Sequence, residues 1–225
     1  MRVLVVAATA AEVTPFLTGL RHVADAGPRM TRYQSARHDI DLLVSGVGMV
    51  ATSAWCSRAL AAARFDAALN FGVCGSFRTA LAPGTVVNVI SDRLAEMGAE
   101  DGEAFLTVQQ MNLVGEDEFP FKGGRLVNAS PWLFSALSSL PAVNGITVNT
   151  VHGFDRSIAR VTERFDPDIE TMEGAAFMYA CLVHGVPFAQ VRAVSNLVER
   201  RNRAAWKMNE AVESLAAVAR RMLES

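Results

Sequence analysis

Short apolar runs alternate with helix-period segments along almost the whole of this 225-residue chain, and that alternation is the strongest constraint on its fold. Val3–Ala7, Ile40–Val44, Ala67–Phe71, Val86–Ile90, Ile146–Thr150, a short run ending near Met172, and Phe188–Val194 have strand length and little polar interruption. Strands that are apolar on both faces belong to sheets covered on both sides. Between them, helical patterns occupy Ala11–Leu20, Val47–Ala63, Ser157–Glu163 and Gly174–His184. Pro131–Leu140 opens with a proline suited to a first helical turn. In the last segment Met208, Val212, Leu215, Ala219 and Met222 recur three or four residues apart, so one face of a final helix packs on the body. The pattern predicts α/β architecture: one domain over residues 1–225, a three-layer α/β/α fold with a mixed, largely parallel central sheet.

Composition narrows the function classes. Hydrophobic residues form 51% of the chain and charged residues 20%, ample for a core and too apolar for disorder. Lys plus Arg number 21 against 23 Asp plus Glu, so no basic excess points to nucleic acid. Cys56, Cys74 and Cys181 form no C-x-x-C pair and the four His no H-E-x-x-H. Neither a zinc site nor a disulfide framework is expected, and reduced thiols suit a cytoplasmic protein. Met1-Arg2, the apolar run after it and Ala8-Thr9-Ala10 have the outline of a signal peptide. The strongly apolar part is only Val3–Val6 and Glu12 follows at once, which favours a buried first strand. No run of eighteen apolar residues predicts a membrane span.

Ligands of open α/β sheets bind beyond the carboxyl ends of the strands. Those positions hold Thr9–Glu12, Ser45-Gly46-Val47-Gly48, Gly72-Val73-Cys74-Gly75, Val151–Phe154, Met172-Glu173 and Ser195-Asn196. Gly46-Val47-Gly48-Met49-Val50-Ala51 fits the dinucleotide fingerprint G-x-G-x-x-G/A, and Asp66 falls twenty residues after Gly46. An acid that meets a ribose should end the second strand, whereas Asp66 precedes a strand that carries Asn70 near its end. A tight turn holding an anion or water at a helix N-terminus is the better reading. Residues 92–125 are weakly patterned and long for a plain connection, as functional loops often are.

Taken together these segments resemble the nucleoside phosphorylase/nucleosidase superfamily. The resemblance rests on Glu12, the turns Ser45–Gly48 and Asn70–Gly75, Glu170-Thr171-Met172-Glu173-Gly174-Ala175, and Val191–Asn196. Within it the chain is similar to the hydrolytic branch that contains methylthioadenosine/S-adenosylhomocysteine nucleosidase. Met97–Gly102 and the run Ser195–Arg203, with Trp206 beyond, are similar to members that release a 6-oxopurine from a nucleoside bearing a benzoate on the 5′ side. The resemblance implies hydrolysis of a ribosyl–base bond through an oxocarbenium-like ribose, a small-molecule nucleoside as partner, no metal or organic cofactor, and at least a homodimer.

Residue roles follow from the same resemblance. Glu12 would act as general base on water, although Thr9-Ala10-Ala11-Glu12 is also an S/T-x-x-E capping box, and one carboxylate cannot fully serve both. Glu173 would accept hydrogen bonds from the ribose hydroxyls while Met172 lies under the sugar; an acid at a helix start is also favoured by the dipole alone. Thr171 stands where adenine-specific relatives carry Glu. Asn196 replaces their Asp: an amide is no general acid, but it can donate to N7 and to a 6-oxo group, with Ser195 holding it. The strand end Val73-Cys74-Gly75 would lay backbone along the base, Phe154 would stack on it, and Ser45 belongs to the substrate rim. Arg201 or Arg203 would grip the benzoate bidentately. His152 and His184 read as surface or packed residues. A phosphorolytic enzyme would want a cation near the first turn, where Glu12 would repel phosphate. A non-catalytic nucleoside-binding protein is the reading from another class.

Overall fold

The computed structural model describes residues 1–130 and 133–224. Its strands are β1 (Arg2–Ala7), β2 (Arg21–Gly27), β3 (Met30–Gln34), β4 (Asp39–Val44), β5 (Ala67–Ser76), β6 (Val86–Asp92), β7 (Gly98–Asp101), β8 (Ala104–Thr107), β9 (Leu126–Val127), β10 (Ala142–Thr147), β11 (Ile169–Thr171) and β12 (Phe188–Leu197). The helices are α1 (Thr14–Leu17), α2 (Met49–Ala62), α3 (Asp155–Phe165), α4 (Gly174–His184) and α5 (Met208–Glu224). The main sheet runs β11-β10-β6-β12-β5-β1-β4-β3-β2, with β9 beside β6. It is mixed: β4, β1, β5 and β12 are mutually parallel, whereas β12–β6 and the β2–β3–β4 edge are antiparallel. β11 pairs both β10 and β5, so one end of the sheet closes into a five-strand ring.

Alternation along β1 explains the layers. Val3, Val5 and Ala7 join a core with α5, including Leu215, Ala219 and Met222. Leu4 and Val6 face the other way, into a core with α2 and α4. Successive strand residues point to opposite faces, so each β1 residue serves one helical layer or the other. The α/β/α fold follows.

Several expectations need correction. The helix expected over Ala11–Leu20 is a single 3-10 turn at Ala10–Glu12 and the one-turn α1. Pro15 is the reason: it has no N–H, and its ring conflicts with the carbonyl four residues back. Pro131 and Trp132 lie outside the described residues, and the remainder of that expected helix is a 3-10 turn, Ser135–Ser139. The strand expected at Ile146–Thr150 ends at Thr147. The hairpin β2–β3 gives no clear apolar alternation in the sequence, because β2 stands largely in solvent and β3 is only half-buried. Within residues 92–125 the chain builds the small hairpin β7–β8. Among the described residues no helix is long and apolar enough to cross a membrane.

Candidate active site

A cavity of about 540 Å³ opens beyond the carboxyl ends of β1, β4, β5 and β12, within the size range of small-molecule sites. Of the residues singled out in the sequence, Glu12, Val73, Cys74, Gly75, Met172, Glu173, Ser195, Asn196 and Arg201 line it. Ser45, Phe154 and Arg203 do not. The Ser45 hydroxyl is engaged with Ala7 O of β1 and with Gly46 O. Phe154 is the residue preceding α3 and stands 66% exposed; Val151, earlier in the same loop, reaches the cavity instead. Arg203 sits in an exposed 3-10 turn.

Glu12 is buried, and its two oxygens have different duties. Oε2 accepts the Thr9 N–H at 2.8 Å and the Thr9 hydroxyl at 3.0 Å, the acidic half of a capping box. Oε1 accepts the Val73 N–H at 3.2 Å. The capping and cavity roles thus divide between the two oxygens of one carboxylate.

Glu173 stands at the start of α4, and its Oε1 accepts the Gly48 N–H at 3.0 Å. Gly48 adopts φ 94°, open to a residue without Cβ. The turn that mimicked a dinucleotide fingerprint therefore offers its helix-start N–H to the protein's own carboxylate. Asp66 lies elsewhere, accepting the Arg2 N–H. Asn196 has its Oδ1 on the Ser195 hydroxyl at 2.8 Å, and Ser195 Oγ also reaches Cys74 O at 3.1 Å. With Oδ1 engaged, Nδ2 is the group the amide offers: one proton goes to Leu197 O at 2.8 Å, leaving the other. The Cys74 thiol is packed among Val87, Val89 and Val194, and burial pushes its pKa up to about 12. It is no nucleophile.

Two groups escaped the sequence reading. Arg192, within the apolar run of β12, is fully buried. Its Nε donates to Gln190 Oε1 at 3.1 Å and its Nη2 to Asn70 Oδ1. Nη1 has no hydrogen-bond partner among the described residues and lies 3.7 Å from Glu173 Oε2. A cation inside an apolar strand was the available signal, since Arg is almost never fully buried without partners. The second is Glu170, which lines the cavity with its carboxylate against His152.

An α/β/α fold whose strand ends frame an acid-lined, otherwise apolar cleft defines a protein of the nucleoside phosphorylase and nucleosidase class. The sequence matches the family model of the Phosphorylase superfamily over residues 2–224, and the chain belongs to that family. It is 32% identical over 183 residues to the futalosine hydrolase of Streptomyces coelicolor, covering 78% of this chain and 74% of that protein. It is 31% identical over 185 residues to the futalosine hydrolase of Thermus thermophilus, covering 80% of each. Among solved structures, the S-adenosylhomocysteine nucleosidase of Streptococcus pyogenes in complex with 5-methylthiotubericidin superposes with a TM-score of 0.81 at 20% identity, over 100% of this chain and 96% of that one; that is a likeness of fold. The chain is an enzyme of the hydrolytic, nucleosidase kind.

Proposed function

We propose that the chain hydrolyses the N-glycosidic bond of futalosine, releasing hypoxanthine and dehypoxanthine futalosine, a step in menaquinone biosynthesis. The observation that carries this reading is the amide of Asn196, whose Oδ1 rests on the Ser195 hydroxyl so that an N–H is offered to the cavity. A donor there suits the acceptor edge, N7 and O6, of a 6-oxopurine. Sequence identity with futalosine hydrolases over most of the chain supports the same substrate.

In this scheme Glu12 Oε1 takes a proton from water as the oxygen attacks C1′. The C1′–N9 bond breaks and its electron pair leaves with the base as an anion, which the Asn196 N–H stabilises without transferring a proton; solvent then protonates the base to neutral hypoxanthine, and Glu12 returns its proton to solvent. Glu173 accepts from the ribose hydroxyls, Met172 lies against the sugar, and the backbone of Val73-Cys74-Gly75 flanks the base. Arg192 Nη1, 3.7 Å from Glu173 Oε2, sets a positive charge beside that carboxylate. Arg201, on the cavity wall and 5.3 Å over the Trp206 ring, takes the substrate carboxylate. The chemistry is supplied by water and side chains, with no cofactor. Glu173 occupying the Gly48 N–H favours hydrolysis over phosphorolysis, since a phosphate at that turn would meet a carboxylate. Val47 lines the cavity yet is 57% exposed, and a homodimer or higher homo-oligomer would cover it.

A second reading is an adenine-releasing methylthioadenosine/S-adenosylhomocysteine nucleosidase. The apolar wall of Val47, Met172, Met208 and Val212 favours it, because a thioether would sit well there. Incubation with futalosine, inosine and methylthioadenosine, with and without phosphate, decides between them. Hypoxanthine released fastest from futalosine, independently of phosphate, is expected; faster release of adenine from methylthioadenosine would establish the second reading. In the same assay Glu12→Gln loses about 10²-fold or more in turnover while still binding product. Unchanged turnover would remove Glu12 from the mechanism.

A further inference from the structure

The scheme above leaves one buried acid of the cavity without a task. Glu170 projects from β11, whose antiparallel register sets it opposite Gly75 of β5. On the other side of β5, β12 sets Asn196 opposite the same glycine. Three neighbouring strands thus place a carboxylate, a glycine and an amide in one row across the cavity wall. The two side chains converge on the glycine: a Cβ built on Gly75 would stand 3.5 Å from both Asn196 Nδ2 and Glu170 Cγ, and 2.9 Å from Val198 Cγ2. The missing Cβ at Gly75 is what lets Val198 and both polar side chains pack against the same stretch of backbone.

His152 holds the carboxylate from behind. Its backbone N–H donates to Oε1 at 3.1 Å, and its ring Nδ1 lies 2.7 Å from Oε2. A carboxylate offers about four acceptor directions, so these two contacts leave others open. Those remaining directions belong to a group that lines the cavity and is only 4% exposed, where an unanswered acceptor is costly.

The order of groups in the row has a chemical meaning. A 6-oxopurine presents an acceptor, O6, next to a donor, N1–H. Adenine presents the reverse, an amino donor next to the N1 lone pair. An amide N–H beside a carboxylate pairs with both groups of the first. The second sets N–H against N–H and carboxylate against lone pair.

We propose that Glu170 is a specificity-determining residue that accepts the N1–H of a 6-oxopurine while Asn196 donates to O6, and that His152 is the positioning residue which aims the carboxylate. The proposal rests on the purine-releasing reading above and names the second half of its base recognition. Sites built to hydrogen-bond a group reject analogues that lack it by up to ~10⁴-fold, because buried partners go unpaired.

Free bases test it on the intact chain. Calorimetric titration with hypoxanthine, adenine and 1-methylhypoxanthine should show hypoxanthine bound at least ~100-fold more tightly than either of the others. Glu170→Leu should abolish that preference, whereas Glu170→Gln, which keeps an acceptor oxygen, should retain hypoxanthine binding within ~10-fold. If the unaltered protein prefers adenine, the 6-oxopurine reading fails and this inference falls with it. If hypoxanthine beats adenine but 1-methylhypoxanthine binds equally well, the 6-oxopurine reading stands and the role of Glu170 is overturned, with no variant needed. Equal weakening of all three bases in Glu170→Leu, together with a lower melting temperature, would leave Glu170 and His152 as a strut between loop and sheet, and likewise overturns it.

Discussion

Gly72→Ala is the sharpest test of how the buried arginine is built into the site. A Cβ at Gly72 would fall on Arg192 Nη1, well inside van der Waals contact, and stand 3.3 Å from Cζ and 2.9 Å from Glu12 Oε1. The guanidinium cannot simply swing aside, because Nε is committed to Gln190 and Nη2 to Asn70, and the residue has no exposed surface. Overpacking costs about 1–3 kcal/mol, and displacing a buried charge from its partners about 3–5 kcal/mol. Relief through β5 would bend the strand carrying Val73, whose N–H holds Glu12. A loss of about 4 kcal/mol is expected, which at ~2–4 °C per kcal/mol for a chain of this size lowers Tm by ~8–16 °C. Urea denaturation and thermal melting measure it. Repeating Gly72→Ala in an Arg192→Lys background, where no second terminal nitrogen meets the new methyl, should recover about 1.5 kcal/mol or more of that cost as coupling. An identical penalty in both backgrounds, or one under ~0.5 kcal/mol in the native background, would refute the reasoning.

Three further outcomes follow from particular contacts. Ser195→Ala removes the donor that pins Asn196 Oδ1, freeing the amide to invert, and should reduce the preference for hypoxanthine over adenine by about tenfold, the worth of one hydrogen bond, in base-binding titrations; an unchanged preference counts against that anchoring. Arg201→Glu should raise KM for futalosine by ~10-fold or more and leave methylthioadenosine unaffected if a charge-assisted pair is lost, and steady-state kinetics with both substrates would expose an error. His38 is buried, with neither ring nitrogen bonded among the described residues, and burial lowers its pKa. Its folded pKa therefore lies below the unfolded value of about 6.5, so stability is intact above that value and is lost as pH falls through it. His38→Leu should flatten the fall in urea midpoint between pH 7.5 and 5; an unaltered slope assigns the acid sensitivity to other groups.

The layered architecture is legible in the sequence because strands buried on both faces need uninterrupted apolar residues, and Val3–Val6, Ile40–Val44 and Phe188–Val194 supply them. The full length of β5 is not. Its apolar run stops at Phe71, but the strand continues through Gly72-Val73-Cys74-Gly75-Ser76, because β12 and β11 pair with it there, and tertiary pairing overrides local propensity. The apolar run of β12 hides Arg192: hydrophobic periodicity registers the strand as core and passes over the one charge in it. Glu12 was visible in two incompatible guises, and only coordinates show its oxygens divided between them. Phe154 failed to reach the cavity for a reason no motif carries, since the direction of a loop side chain depends on where α3 begins.

Why the protein keeps so many ionisable groups behind an apolar cleft can be argued from their order. Asp92 is wholly buried, and burial pushes its pKa up to about 6 against hydrogen bonds from Gln190 and Thr147 and the nearby Arg192 charge. Its pKa is raised from 3.8, so its stabilising contribution is present below that value and is lost as pH rises to about 6, a cost of about 3 kcal/mol at neutral pH. An amide has two orientations, and this carboxylate selects one of them: Asp92 Oδ2 accepts from Gln190 Nε2 at 3.1 Å, which turns Gln190 Oε1 toward Arg192 Nε. Asn70 is oriented in the same way, its Nδ2 on Val6 O at 3.1 Å, which presents Oδ1 to Arg192 Nη2. With both neighbours fixed, the guanidinium plane is fixed, and the single nitrogen left over lies beneath Gly72 and faces Glu173. A buried donor without a hydrogen bond is itself destabilising, so the network spends stability twice, at Asp92 and at Nη1, to hold a cation 3.7 Å from Oε2 of the cavity-lining Glu173. That arrangement is the one expected of a site organised before its ligand arrives.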